Sequence, residues 1–239
     1  MTEWDDWRVE QAHAYLERVR RMGADCAGLR RLVEDERAYF IDKQIGGQWC
    51  LCEELIARAG QAAEHIVDTV YFGGGTPTLL SFDDFAMLLN GIRTHFALAP
   101  DAEVTVECNP ATADVAKLSA LRKAGFNRLS IGMQSANENE LSALGRIHTA
   151  EDVKETVKAA RGAGFDNISL DVMYGIPCQT VNSFEKTIDF VLSMSPEHVS
   201  AYMLKLEEGT PLFENADKFT FPSEDDIVEM TRLTEQRLS

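Results

Sequence analysis

A glycine-rich turn near residue 75 is the first stretch of the sequence that could carry chemistry. Residues 71–78 read YFGGGTPT, and three successive residues without a Cβ atom allow a ligand to approach the backbone closely. The stretch is not a Walker loop, because no Gly-Lys-Ser/Thr follows, and it lacks the Gly-x-Gly-x-x-Gly of a Rossmann fingerprint. On its own it is equally compatible with a tight turn that binds nothing.

Polar residues also stand at the predicted carboxyl ends of the four strands that follow. They are Glu107, Gln134, Asp171 and Lys205. Parallel α/β folds place their ligand sites at this edge of the sheet. Two carboxylates and an amide suit ribose hydroxyls and an amino group, and the backbone groups of the glycine turn suit an amino-acid carboxylate or amine. The set therefore predicts a ligand that joins a nucleoside to an amino acid.

Alternating strand and helix patterns, which begin near residue 53, must position these side chains. The predicted strands are 67–72, 103–107, 128–131, 167–171 and 199–204, and capping boxes predict helices that begin after Ser81, Thr149, Thr180 and Ser223. Residues 124–131 (AGFNRLSI) and 163–170 (AGFDNISL) repeat one helix-to-strand unit. Five such units, against the eight of a complete barrel, predict an α/β fold with a partial (β/α) TIM-like barrel over residues 53–239.

Residues 1–50 have a different character and predict an added N-terminal helical segment with no chemistry of its own. The net charge of −16 argues against nucleic acid and anionic membranes as partners. No apolar run approaches the ~20 residues of a membrane span. Five cysteines without framework spacing predict a reducing compartment, the cytoplasm.

Five short motifs follow one another along residues 53–239. They are YFGGGTPT at 71–78, ECNP at 107–110, RLSIGMQS at 128–135, DVMYGIP at 171–177 and EEGTP at 207–211. As a set they resemble the radical S-adenosylmethionine (radical SAM) family of oxygen-independent coproporphyrinogen III oxidases. Within that family, YMLK at 202–205 together with EEGTP is more similar to the HemW-type heme chaperones than to the oxidase HemN.

The resemblance implies a fold of the radical SAM type with an S-adenosyl-L-methionine (SAM) site at the strand ends. The family's SAM-binding positions fall on Gly74, Gly75 and Thr76 for the methionine end, on Glu107, on Gln134 and Arg146, and on Asp171 for the ribose. His148, two residues after Arg146, is the histidine nearest to this predicted site.

The family's chemistry is implied in the same way. It reduces SAM at a [4Fe-4S] cluster and forms a 5′-deoxyadenosyl radical. The oxidase branch uses this radical on porphyrinogen propionates in porphyrin biosynthesis. The chaperone branch binds heme and transfers it to a heme-acceptor protein.

The family's cluster motif, Cys-x-x-x-Cys-x-x-Cys, does not occur in this sequence. Cys50 and Cys52 are too close together, and Cys26 lies too far upstream, to supply that spacing. We therefore expect a truncated or rearranged family member with the SAM-binding strand ends, no metal site and no radical chemistry, which leaves open whether it is an enzyme. Two alternatives remain: a non-catalytic module that binds heme or a partner and self-associates through open barrel edges, and an inactive product of a rearranged gene.

Overall fold

The structure is a computed structural model that describes residues 55–74 and 77–238. Its strands are β1 (Ile66–Phe72), β2 (Ala97–Cys108), β3 (Arg128–Gln134), β4 (Ile168–Tyr174) and β5 (His198–Met203). Its helices after residue 66 are α1 (Phe82–His95), α2 (Val115–Ala124), α3 (Glu138–Ala143), α4 (Ala150–Gly162), α5 (Val181–Ser193), α6 (Pro211–Glu214) and α7 (Glu224–Leu238). The prediction of a helical segment over residues 1–50 lies outside the described residues.

The described residues belong to two compact units. The first comprises 55–67 and 83–99, and in it α1 buries Phe85, Leu88 and Leu89, whose spacing places them on one side of the helix. The second comprises 68–74, 77–82 and 100–238. All the predicted site residues that the structure describes lie in this second unit.

The five strands form one sheet in the order β1-β2-β3-β4-β5. The pairs from β2 to β5 are parallel, and they place Glu107 opposite Ser130, Gly132 opposite Asp171, and Asp171 opposite Ser200. A helix connects each strand to the next, so the carboxyl ends of these strands lie at one edge. The sheet with its helices confirms the partial (β/α) barrel of the radical SAM type.

The two faces of the sheet differ in chemistry because successive strand residues point to opposite sides. One face is apolar, and residues such as Val106, Ile131 and Leu170 are fully buried on it. Helix α4 contacts β3 and α5 contacts β4, which buries the apolar sides of both helices. The other face is polar, since hydrogen bonds join side chains of neighbouring strands across it.

Helix ends agree with the sequence more closely than strand ends do. Reciprocal capping boxes form at the starts of α4, α5 and α7, where each was predicted. Gly125 ends α2 in the left-handed region, at φ 112°. By contrast, β3 continues to Gln134 and β4 to Tyr174, because backbone pairing with adjacent strands continues beyond the apolar run that marks each strand in the sequence. No helix within the described residues is long and apolar enough to span a bilayer.

Candidate functional site

Glu107, near the end of β2, holds the glycine turn. Its Oε2 accepts a hydrogen bond from the Gly74 N–H at 3.0 Å, and its Oε1 accepts one from the Tyr71 hydroxyl at 3.0 Å. A Cβ atom at Gly73 would lie 2.7 Å from Oε1, so that position has no room for a side chain. Gly74 has φ +95° and open space where a Cβ would be. Gly75 and Thr76 lie outside the described residues.

Asp171 lies in the middle of β4, whereas the sequence placed it at the end of that strand. The Ser130 hydroxyl lies 3.0 Å from each of its carboxylate oxygens. Burial is the main effect on Asp171 and raises its pKa, and the charge of Glu107 acts in the same direction. Hydrogen bonds from Ser130 and Ser200 oppose this rise without cancelling it.

Gln134 is the last residue of β3 and is 3% exposed. The Tyr202 hydroxyl donates a hydrogen bond to its Oε1 at 2.9 Å. Its backbone has φ 65°, which is uncommon for a residue with a side chain. A Cβ at Gly132 would lie 2.9 Å from Gln134 Nε2, so the glycine leaves room for this amide.

The two predicted basic residues, Arg146 and Lys205, differ in whether they act on the side chains described above. Arg146 is exposed in the segment between α3 and α4, and its charge lowers the pKa of Tyr202, against a larger rise from burial. Arg146 therefore lies within electrostatic reach of the Tyr202–Gln134 pair. Lys205 follows β5, and its Nζ pairs with Glu207 Oε1 at 2.7 Å. With 80% of its side chain exposed, Lys205 is directed to solvent in this structure.

Three side chains that hydrogen-bond to the predicted site residues were not predicted as part of the site, namely Tyr71, Ser130 and Tyr202. Each lies within a strand on the polar face, whereas the sequence analysis considered only strand ends. The available signal was the alternation of polar and apolar residues in β3, where Arg128, Ser130 and Gly132 interrupt a buried apolar series.

A buried network lies next to the cluster and joins the segments that follow β3 and β4. The Ser135 hydroxyl donates to Glu140 Oε2 at 2.6 Å, and Gln179 Nε2 lies 3.2 Å from the same oxygen. Gln179 Nε2 also donates to the Met173 carbonyl at 3.1 Å. Both loops at this edge are thereby tied to Glu140, which is 1% exposed.

The cysteines in the described part of the chain do not form a cluster site. Burial raises the pKa of Cys108 to about 12, which keeps its thiol protonated in the ligand-free chain. Cys178 is exposed, and no group of three His, Cys, Asp or Glu side chains within residues 55–74 and 77–238 could hold a metal ion. Cys26, Cys50 and Cys52 lie outside those residues. The described residues thus do not fit a [4Fe-4S] cluster.

The cluster of Tyr71, Glu107, Gln134, Asp171 and Tyr202 carries two carboxylates that repel each other. Burial raises the pKa of both Asp171 and Tyr71, and the charge of Glu107 adds a smaller rise to each. The charge of Arg128 lowers the pKa of Asp171 without cancelling that rise. A cationic ligand would relieve this repulsion. Carboxylate oxygens also accept hydrogen bonds from ammonium and hydroxyl groups.

Comparison with known proteins gives the class. The radical SAM superfamily profile matches residues 39–191, and the chain belongs to this superfamily. Membership implies SAM and a [4Fe-4S] cluster as cofactors.

Individual proteins of this superfamily are similar to the chain over part of their length. The heme chaperone HemW of Mycobacterium tuberculosis H37Rv is 36% identical over 208 residues, which cover 84% of this chain and 53% of the relative. The heme chaperone HemW of Escherichia coli K12 is 40% identical over 144 residues, 60% of this chain and 38% of the relative. The solved structure of coproporphyrinogen III oxidase (HemN) from E. coli matches with a TM-score of 0.68 and 29% identity, over 78% of this chain and 44% of that chain. The chain thus spans about half or less of the length of these relatives.

Proposed function

We propose that this chain binds SAM at the carboxyl edge of its sheet, as part of a HemW-type heme chaperone-like protein. The observation that carries the proposal is the pair of carboxylates on one face of the sheet, Glu107 and Asp171, with the glycine turn bonded to the first of them. SAM carries a sulfonium and an ammonium group, so it supplies positive charge where the site has an excess of negative charge. In addition, its ribose supplies hydroxyl groups to a carboxylate.

Each side chain has a defined task in this proposal. Gly74, with Gly75 and Thr76, receives the methionine end of SAM, and Glu107 accepts from its ammonium group. Asp171 accepts from the ribose hydroxyls, because it lies on the same face of the sheet as Glu107, two strands further along. Gln134 presents its amide, and Arg146 contributes charge from the exposed segment. Lys205 has the least support, since it pairs with Glu207.

Heme or a porphyrin is the second ligand that we propose, with a heme-acceptor protein as the partner. Support comes from the names of the HemW relatives and from the match to HemN. The cytoplasm remains the proposed location and rests on the cysteine composition. The alternative, a heme- or partner-binding module without catalysis, keeps the same fold and predicts no dependence on SAM.

A titration with SAM tests the site directly. We expect the wild-type chain to bind SAM and the Glu107→Ala/Asp171→Ala double variant to lose binding by at least about a hundredfold, because two charged hydrogen-bond acceptors are removed. Isothermal titration calorimetry measures the loss. The matched control is Asp101→Ala/Asp166→Ala, which makes the same change in net charge at the amino ends of β2 and β4. Equal affinities for the wild type and the site variant would contradict the proposal.

Anaerobic reconstitution tests the prediction that the chain lacks a cluster. We expect no bound iron or acid-labile sulfide, because the family's cysteine spacing does not occur in the sequence. Elemental analysis and the visible spectrum provide the measurement. About four irons per chain, together with SAM-dependent release of 5′-deoxyadenosine, would show that another set of ligands holds a cluster.

A further inference from the structure

The turn at the end of β3, residues 133–135, has an unusual backbone. The Ser135 N–H donates to the Met133 carbonyl at 2.8 Å, which closes a three-residue turn around Gln134. With φ 65° at its central residue, this is the rare positive-φ form of the γ-turn. Such a conformation persists only where neighbouring groups enforce it, and it is found most often at functional sites. We call this segment the Gln134 turn.

His148 supports the Gln134 turn from within the protein. Its Nε2 lies 3.1 Å from the Met133 carbonyl oxygen, the same oxygen that accepts from Ser135. The imidazole is 3% exposed, and burial lowers its pKa, which favours the neutral ring. In the neutral ring, Nε2 must carry the proton in order to donate to a carbonyl. Nδ1 is buried and has no hydrogen-bond partner in the structure, so the bond from Nε2 to the Met133 carbonyl is the polar contact that orients the ring.

Hydrogen bonds with neighbouring groups hold the other parts of the Gln134 turn. The Ser135 hydroxyl donates to Glu140 and accepts from the Asn137 N–H at 2.9 Å, which fixes the end of the turn. The Tyr202 hydroxyl holds Oε1 of Gln134, which fixes the direction of the amide. The carbonyl at the start of the turn accepts from the Ser135 N–H and is also held by His148, which comes from outside the turn's own segment.

We propose that His148 is a positioning residue, which holds the strained Gln134 turn through the Met133 carbonyl and so sets the position of the Gln134 amide toward SAM. The proposal rests on the proposed SAM site but adds a residue that does not touch the ligand. It predicts a specific chemical requirement at position 148, namely an N–H donor at the place of Nε2. A purely space-filling histidine would tolerate any side chain of similar size.

The test compares three variants by hydrogen exchange and SAM titration. Leucine at 148 fills space without a donor, asparagine has an amide too short to reach Met133, and glutamine places an amide nitrogen near the position of Nε2. We expect His148→Leu and His148→Asn to speed exchange of the Ser135 N–H about tenfold and to weaken SAM binding about tenfold. We expect His148→Gln to remain within about threefold of the wild type in both measurements.

A matched control removes similar bonds at the opposite end of the strands. Asn127 Nδ2 donates to the Ala102 carbonyl at 2.8 Å and its Oδ1 accepts from the Val104 N–H at 2.7 Å. Asn127→Ala removes both bonds and should lower stability while leaving both readouts unchanged. Unchanged Ser135 exchange in His148→Leu, or in His148→Asn if the leucine variant does not fold, would overturn the proposal. So would SAM affinity equal to that of the wild type. If the wild-type chain binds no SAM, the proposed function fails, and the exchange rates alone still decide the role of His148 in the turn.

Discussion

At the scale of single residues, the charge of Asp171 favours ligand binding but lowers the stability of the ligand-free chain. Its carboxylate is half-buried, lies on the same sheet face as Glu107 and receives hydrogen bonds from two serine hydroxyls. Because its pKa is raised in the folded chain, the folded state holds this proton more tightly than the unfolded state does. The stabilisation due to the protonated form is complete below the ordinary pKa of 3.8 and is lost as the pH rises through the raised folded value. At neutral pH the ligand-free chain therefore contains a destabilising charge.

Replacing that charge should separate the two effects. We expect Asp171→Asn to raise the melting temperature of the ligand-free chain at pH 7 and to weaken SAM binding about tenfold, because the amide removes both the repulsion and the anionic acceptor. The gain in stability should shrink as the pH approaches 3.8. Thermal unfolding across this range, with SAM titration at pH 7, measures both effects. The control is Asp166→Asn, at an exposed position. A melting temperature at pH 7 lower than that of the wild type would contradict the argument.

At the scale of elements, strained backbone lies where strands and helices end. Gln134 at the end of β3 and Ser195 after α5 have positive φ, and the register of β3 with β4 shifts between Gly132 and Gln134. In the loop after β4, Cys178 has φ 63°. Its N–H donates to the Thr220 carbonyl at 2.8 Å, which ties this loop to the segment before α7. A left-handed backbone at a residue other than glycine is strained by about 1–3 kcal/mol.

Glycine at position 178 should relieve that strain. We expect Cys178→Gly to stabilise the chain by about 1 kcal/mol, since relief of strain exceeds the entropy that glycine adds to the unfolded state. This corresponds to an increase of about 2–4 °C in melting temperature. Cys178→Ala, which removes the thiol but keeps the strain, provides the comparison in differential scanning calorimetry. If alanine stabilises the chain as much as glycine does, the thiol rather than the backbone is responsible.

At the scale of the whole molecule, the sheet has two outer strands, β1 and β5, in the part of the chain that the structure describes. An outer strand exposes backbone N–H and C=O groups that can pair with another chain. The net charge of −16 opposes association of copies through electrostatic repulsion. Salt therefore determines which effect is stronger, because the Debye length falls to about 3 Å at 1 M salt.

Sedimentation should report that balance. We expect analytical ultracentrifugation to show a sedimentation coefficient that rises with protein concentration, and more steeply at 0.5 M than at 0.05 M salt, because screening removes the repulsion and leaves edge pairing. A variant with lysine in place of Met203, an exposed side chain at the end of β5, should associate less. A monomer at every concentration and salt condition would contradict self-association through the strand edges.

The sequence predicted the barrel and three of the five side chains in the cluster of Tyr71, Glu107, Gln134, Asp171 and Tyr202, and the reason differs from residue to residue. Glycine runs and capping boxes depend on local backbone chemistry, so the end of β1 before Gly73 and the starts of α4, α5 and α7 could be predicted directly. Glu107 stood next to a recognisable strand end. The partners Tyr71 and Ser130 come from other strands, and which residue opposes which depends on register that no local pattern contains.

Other features were beyond local reasoning for energetic causes. The positive φ of Gln134 is imposed by tertiary contacts, since its own preferences disfavour it. Asp171 appeared to end β4 because a charged residue interrupts the apolar sequence there, whereas Val172, Met173 and Tyr174 continue the strand and its pairing with β5. The SAM-binding roles stay predictions for every residue of the site, namely Gly74, Gly75, Thr76, Glu107, Gln134, Arg146, Asp171 and Lys205.

The opposed chemistry of the two sheet faces has a consequence for how this fold changes over time. Substitutions on the apolar face are judged by volume and packing against α4 and α5, whereas those on the polar face are judged by hydrogen bonding and charge. Adjacent residues of a strand are therefore under different selection. Residues on the apolar face can change while the polar site is kept, and residues on the polar face can change while the packing of the barrel is kept.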